Sequence, residues 1–210
     1  LQYEEQMRRG ILLKRQLDTL GTLVGISQNL RPDKPLEQAL NTVATAVRDA
    51  TPFRVVLISV YDSRQDALRR VLAQGVNEEM WAELSSHMPP WKSTQVLLQP
   101  EYRMGSVYFI PVDKRPVTPD DMHTLTILPE TEKVRVDEWD PQDFLLVPLF
   151  DPDGVPLGLI SIDDPSDLRR PDRVTYDILN LFGMFASLMI ENHQKLGGIQ
   201  SRVVDLCLDT

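Results

Sequence analysis

The 210 residues of this chain carry a formal net charge of −9, 42% hydrophobic residues and a single cysteine, Cys207. That length suits one sizeable domain with an extension, or two very small domains. The acidic balance excludes a broad basic surface, so no nucleic acid partner is expected, and one cysteine excludes an intrachain disulfide framework or a multi-thiolate metal site.

No window approaches the roughly eighteen uninterrupted apolar residues of a membrane span, so no direct membrane contact is expected. The chain begins with Leu1 and has no signal-peptide layout, which reads as an excised piece of a larger, cytoplasmic protein.

Residues 1–30 read as a helix, with Leu13, Leu17, Leu20 and Val24 along one heptad-like seam. Gly10, Gly21 and Gly25 weaken it by about 1 kcal/mol each relative to Ala, so it needs the domain or a second copy to pack on. Arg8, Arg9, Lys14 and Arg15 are interleaved with Glu4, Glu5 and Asp18, the pattern of a solvated helix face. After a break at 31–35 a second helix follows, its buried stripe Leu36, Leu40, Val43 and Val47, ended by Thr51-Pro52.

Residues 53–61, FRVVLISVY, have the β-branched and aromatic content of a strand, with a polar turn leading to an antiparallel partner over 67–74. A short helix is predicted over 77–85 with Asn77 as its N-cap. Pro89-Pro90-Trp91 is expected to be non-helical, and 96–98 reads as a helical turn or a strand. Residues 106–110 form another strand. Residues 111–141 hold five prolines and one strand-like island at 124–128. A connection of that length reads as a lid or a segment without fixed structure. In residues 144–164 two apolar runs flank the turn sequence Asp151-Pro152-Asp153-Gly154, the pattern of a hairpin near the centre of a sheet. A long helix runs from about 171 to beyond 192.

This order predicts an α+β domain: a mostly antiparallel sheet of five to six strands, terminal helices on one face, and the short helix with the long loop on the other. The predicted division is a linker or dimerisation helix over 1–34, the domain over 35–195, and an exit helix from 196 to 210.

With FRVVLISVYD after an amphipathic helix, YFIP at 108–111, the hairpin LLVPLFDPDGVPLGLISIDDP and the closing helix DRVTYDILNLFGMFASLMIEN, the chain resembles a GAF domain. That family consists of small-molecule-binding sensory modules of bacterial signalling proteins. The resemblance implies a pocket between the sheet and the loop layer, walled by residues 53–61, 106–110 and the 111–141 segment. Alternation places Val55, Leu57, Ser59 and Tyr61 on one face of the first strand and Val56, Ile58 and Val60 on the other. Ser59 and Ser161 are small polar residues on apolar strands, which favours the Ser59 face. Trp81, Trp91 and Trp139, with Tyr102, Tyr108 and Arg103, would supply an aromatic, partly cationic lining for a flat or anionic ligand. The ligand-binding candidates are Ser59, Tyr61, Trp91, Arg103, Tyr108 and Trp139. The competing reading is that Ser59 merely makes room for packing and the aromatics glue an irregular layer to the sheet.

Family chemistries with residue signatures find little support. Residues 163–172 lack the Lys and Phe that cyclic-nucleotide-binding members share, and Cys207 lies past the closing helix, so covalent bilin is not expected. The sulfoxide reductases of this fold use several cysteines, and one is too few. His87, His123 and His193 have no metal-ligand spacing, and no metal is expected. Asp163, Asp164, Asp167 and Asp172 read as capping residues ahead of a helix rather than a cation site. No catalytic residue is identified, although Asp120, Asp121 or His123 on the long segment would carry any activity.

Ile178, Phe182, Phe185, Met189, Asn192, Leu196, Ile199, Val203 and Leu206 alternate steps of four and three, with one polar Asn. This predicts a homodimer seam, its first half covering the sheet or a partner and its second half running towards an output module downstream in the same chain, of a histidine kinase or cyclase, for example. Gly197-Gly198 is the one sequence feature that would end the helix. The functional expectation is a sensory module relaying a ligand-dependent state through terminal helices in a dimer. The alternative is a GAF-fold spacer that binds nothing.

Overall fold

The computed structural model describes residues 35–114, 116 and 137–208, the stretch 196–208 by its backbone alone. The expected seam at Leu13, Leu17, Leu20 and Val24, the island at 124–128, and Asp120, Asp121 and His123 lie outside the described residues. So do the side chains of Leu196 and Cys207.

Leu40, Val43 and Val47 recur at helical spacing and are completely buried along α1 (Leu36–Ala50). Thr51 stops that helix by donating its hydroxyl to the Val47 carbonyl at 2.7 Å, and Pro52 cannot continue it. β1 (Phe53–Asp62) turns through Asp66, at φ +50°, into β2 (Ala67–Gln74). Asn77 Oδ1 accepts the Met80 N–H at 2.8 Å and starts α2 (Glu78–Ser86), as the sequence indicates.

The expectation of a non-helical Trp91 is overturned. Trp91 opens a short helix, α3 (Trp91–Gln95), directly after Pro89-Pro90. A proline just ahead of a helix sacrifices no internal hydrogen bond, and its fixed φ suits the entry. Then come β3 (Arg103–Met104), β4 (Val107–Ile110), β5 (Phe144–Phe150), β6 (Pro156–Pro165) and α4 (Arg173–Leu208). The α4 backbone continues through Gly197-Gly198.

The six strands form one antiparallel sheet in the order β2-β1-β6-β5-β4-β3. The apolar hairpin β5–β6 thus sits beside β1 in its middle, as its near-continuous hydrophobicity requires. One face packs Val56, Ile58, Val147 and Ile160 against α1 and against Leu179, Phe182, Ala186 and Ile190 of α4. A Cβ at Gly183 would lie 2.7 Å from Val147 Cγ1, so this glycine lets α4 approach the sheet. The other face packs Leu68, Ile110, Leu146 and Leu159 beneath Trp91, Leu97 and Tyr102.

The burial of α4 corrects part of the expected dimer seam. Phe182 and Met189 are 0% and 5% exposed inside their own domain, and Phe185 is half-buried against the same core. A heptad pattern reports an apolar stripe and not its partner, and here that stripe belongs to the sheet. Asn192 is exposed. Among the described side chains of α4, the large apolar ones turned outward are Met184 and Leu188, 69% and 40% exposed. Residues Arg173–Lys195 pass the length and composition test for a membrane span at mean hydropathy 1.2. Phe182, Ala186 and Ile190 in the core identify them instead as the central helix of a folded domain.

Candidate functional site

Alternation along β1 directs Ser59 and Tyr61 away from the two long helices. Opposite Ser59 stand Leu159 of β6 and Arg70 of β2, and Tyr61 faces Leu68. A bulge between Ile58 and Ser59 on the β2 side keeps Arg70 and Leu68 on this face while Leu72 turns to the helices. Ser59 is 3% exposed. Leu57 and Ser161, cross-strand partners at the centre of the sheet, are only half-buried.

The layer above is stitched to the β1–β2 turn. Trp91 N–H donates to the Asp66 carbonyl and Leu68 N–H to that of Pro89, both at 2.9 Å. Tyr61 donates its hydroxyl to Asp66 Oδ1 at 2.9 Å, and its ring meets Trp91 edge-on at 6.0 Å. Trp91 in turn meets Phe150 at 5.9 Å. Tyr102 donates to the Lys114 carbonyl at 2.5 Å, tying the layer to the residues after β4.

Thr94, three residues from both Trp91 and Leu97, falls on the buried side of this layer and is 1% exposed. Its Oγ1 has no hydrogen-bond partner. A buried hydroxyl left unpaired costs about 1–3 kcal/mol, and such groups in native proteins mark a role or a missing partner. Nothing in the spacing of the sequence singles out Thr94.

A second polar cluster closes the end of the sheet where β1 begins and β6 ends. Asp143, 3% exposed, accepts Val112 N–H at 2.8 Å and Asp140 N–H at 3.1 Å. Arg170 grips it with Nε at 3.0 Å and Nη2 at 3.3 Å, lies 3.9 Å from Asp113, and stacks 5.4 Å over the Phe109 ring. Burial pushes the Asp143 carboxyl up, while Val112, Asp140 and Arg170 pull it back. Trp139 Nε1 donates to Asp163 Oδ1 at 3.1 Å. Burial raises Asp163 to about 6, opposed by the Asp164 N–H and Trp139 and reinforced by Asp164 and Asp143.

Four of the six ligand-binding candidates therefore share the face away from the helices: Ser59, Tyr61, Trp91 and Tyr108. Trp139 does not join them; its ring packs on Phe53 at 5.3 Å and Phe109 at 6.1 Å in the helix-side core. Arg103 is exposed on the edge strand β3 and donates Nε to the Gly105 carbonyl at 2.6 Å. The acidic run is engaged locally. Asp172 Oδ1 caps α4 through Thr175 N–H and Oγ1, Asp167 accepts Arg169 N–H, and Asp164 pairs with Arg54 at 2.6 Å. Among the described residues no group of three or more His, Cys, Asp or Glu is placed to hold a metal ion.

The family model described as GAF domain matches residues 35–190. Among solved structures, a methyl-accepting chemotaxis protein is similar at TM-score 0.56 and 20% identity, over 81% of this chain and 98% of that one. The GAF domain of a protein assigned as a sensor histidine kinase in Pseudomonas syringae pv. tomato gives 0.55 and 16%, over 96% and 99%. The free methionine-R-sulfoxide reductase from Neisseria meningitidis, in complex with its substrate, gives 0.52 and 17%, over 87% and 93%. No curated protein sequence matches the chain.

Proposed function

The chain belongs to the GAF domain family, and on that premise we propose that it is the regulatory sensory module of a larger cytoplasmic signal-transduction protein. Its ligand is a small molecule held on the sheet face that carries Ser59, Tyr61, Trp91 and Tyr108. The observation that carries this reading is the Thr94 hydroxyl, buried on that face with no partner of its own. A ligand offering a hydrogen-bonding group there satisfies it, and the half-buried Leu57 and Ser161 lie on the same face of the sheet. In this reading the output belongs to a downstream part of the same protein.

The relay proceeds along α4, which passes the last strand and continues to Leu208. Two copies associate through the outward residues Met184 and Leu188, with the seam continuing beyond Leu196. A ligand changes the output only to the extent that it binds two states of the module unequally. Chemotaxis proteins and histidine kinases on the same fold fit this reading as its biological setting.

A second reading, a spacer that binds nothing, draws on Trp91, Leu97 and Tyr102 filling much of the same face. Thermal denaturation against nucleotides, haem, free bilins and small carboxylic acids separates the two. A ligand at about 100 times its Kd adds about 2.7 kcal/mol to stability, and Thr94→Val and Ser59→Leu variants should lose that gain. If no compound raises the midpoint, or the gain survives both substitutions, the sensory reading of this face is wrong.

A further inference from the structure

The feet of the 112–143 segment and the approach to α4 are joined by more bonds than either needs for its own local fold. Arg170 N–H donates to the Asp137 carbonyl at 3.1 Å and Trp139 N–H to that of Leu168 at 3.0 Å, while Glu138 and Arg169 form an antiparallel bridge. The Arg170 side chain reaches across to Asp143, and Asp143 holds Val112 from the other foot. Trp139 pins the same strip to β6 through Asp163. Leu168 sits at φ +55° and Asp164 at φ +57°, conformations that cost a non-glycine residue about 1 kcal/mol or more and persist only where neighbours over-determine them. Between Arg170 and the α4 cap at Asp172 lies only Pro171, whose φ is fixed by its ring. The path from Val112 to the first turn of α4 thus runs through Asp143, Arg170, Pro171 and Asp172.

We propose that this node is a two-way coupling: order in the feet of the 112–143 segment and order in the first turn of α4 stabilise each other through Asp143, Arg170 and Trp139. It is a regulatory device in the fold, since whatever engages those feet changes the stability of the first turn of the helix that leaves the domain. The proposal goes beyond the sensory reading and needs no ligand to be tested. Coupling between two sites is reciprocal by thermodynamic necessity, which makes it measurable from either end.

The test is residue-resolved amide hydrogen exchange on the full chain. Asp143→Asn loosens the Arg170 fork, and about fivefold or faster exchange is expected at the Thr175 and Tyr176 amides on α4. Asp172→Ala removes the α4 cap, and a comparable acceleration is expected at the Val112, Trp139 and Asp140 amides, with the β1–β2 amides unchanged in both variants. Arg170→Lys, which keeps the charge and loses the fork, replaces Asp143→Asn if that variant does not fold. Acceleration confined to the perturbed end in either variant overturns the coupling. So does equal acceleration in β1 and β2, which would show global destabilisation instead.

Discussion

Asp163 offers the sharpest quantitative test of how this domain is held together. Its carboxyl lies at the end of β6, taking Trp139 Nε1 at 3.1 Å and the Asp164 N–H at 2.6 Å, with burial raising it to about 6. An unfolded chain releases the same proton near pH 4. Between those values the folded state binds the proton and the unfolded state does not. The contribution of Asp163 to stability is therefore fully present below about pH 4 and lost as pH rises through about 6. At 1.36 kcal/mol per pH unit the loss is about 3 kcal/mol at most, and solvent at this half-buried group reduces it towards 1. Asp163→Asn keeps an acceptor for Trp139 and Asp164 and removes the proton. Urea unfolding at intervals from pH 4 to 8 should show wild type losing ground to the variant by about 1–3 kcal/mol across that window. Any constant offset from the new amide N–H groups leaves the slope untouched. Asp143, Asp164, Arg170 and Arg54 are present in both proteins, so only their coupling to Asp163 enters the difference. A variant that tracks wild type in parallel from pH 4 to 8 would refute the argument. A variant that loses ground as pH rises would reverse its sign.

Two further outcomes follow from burial. Thr94→Val replaces an unpaired buried hydroxyl by a methyl of similar size, and ligand-free protein should gain about 1 kcal/mol in urea unfolding; a loss of that size would mean the hydroxyl is already held by a bound water or ligand. Met184→Glu with Leu188→Glu places charge on the outward stripe of α4, and sedimentation at micromolar concentration should show wild type as a dimer and the variant at least tenfold weaker in association with unchanged circular dichroism. A monomeric wild type, or a variant that dimerises equally well, rejects that face as the seam.

Much of the architecture was legible because it follows from local rules. FRVVLISVY alternates and β-branches as a strand must, Asn77 offers its carboxamide to the next turn, and Asp151 to Gly154 can only be a turn between two apolar runs. The same alternation located Ser59 and Tyr61 on the face away from the helices. The entry to α3 departs from the sequence expectation because Pro-Pro-Trp resembles a breaker, whereas a proline at a helix start is harmless. In α4, periodicity specifies that Phe182 and Met189 are covered, while only the tertiary fold says by what. Asp143 with Arg170, and the unpaired Thr94, had no signature at all. Their importance comes from burial and from partners 27 residues apart, neither of which any spacing rule encodes.

The pairing of β1 with β6 sets the order in which the protein can be made. Arg54 and Asp164 meet across 110 residues, and β1 has β2 on one edge but no partner on the other until β6 exists. A ribosome emitting this chain releases an apolar strand well before the hairpin that will cover it, and the long loop closure then slows assembly. During synthesis residues 53–62 thus present an open edge until β6 is made. Shortening the protein from its C-terminal side into β6 would leave β1 and β5 without the strand that joins them, however intact their own sequence.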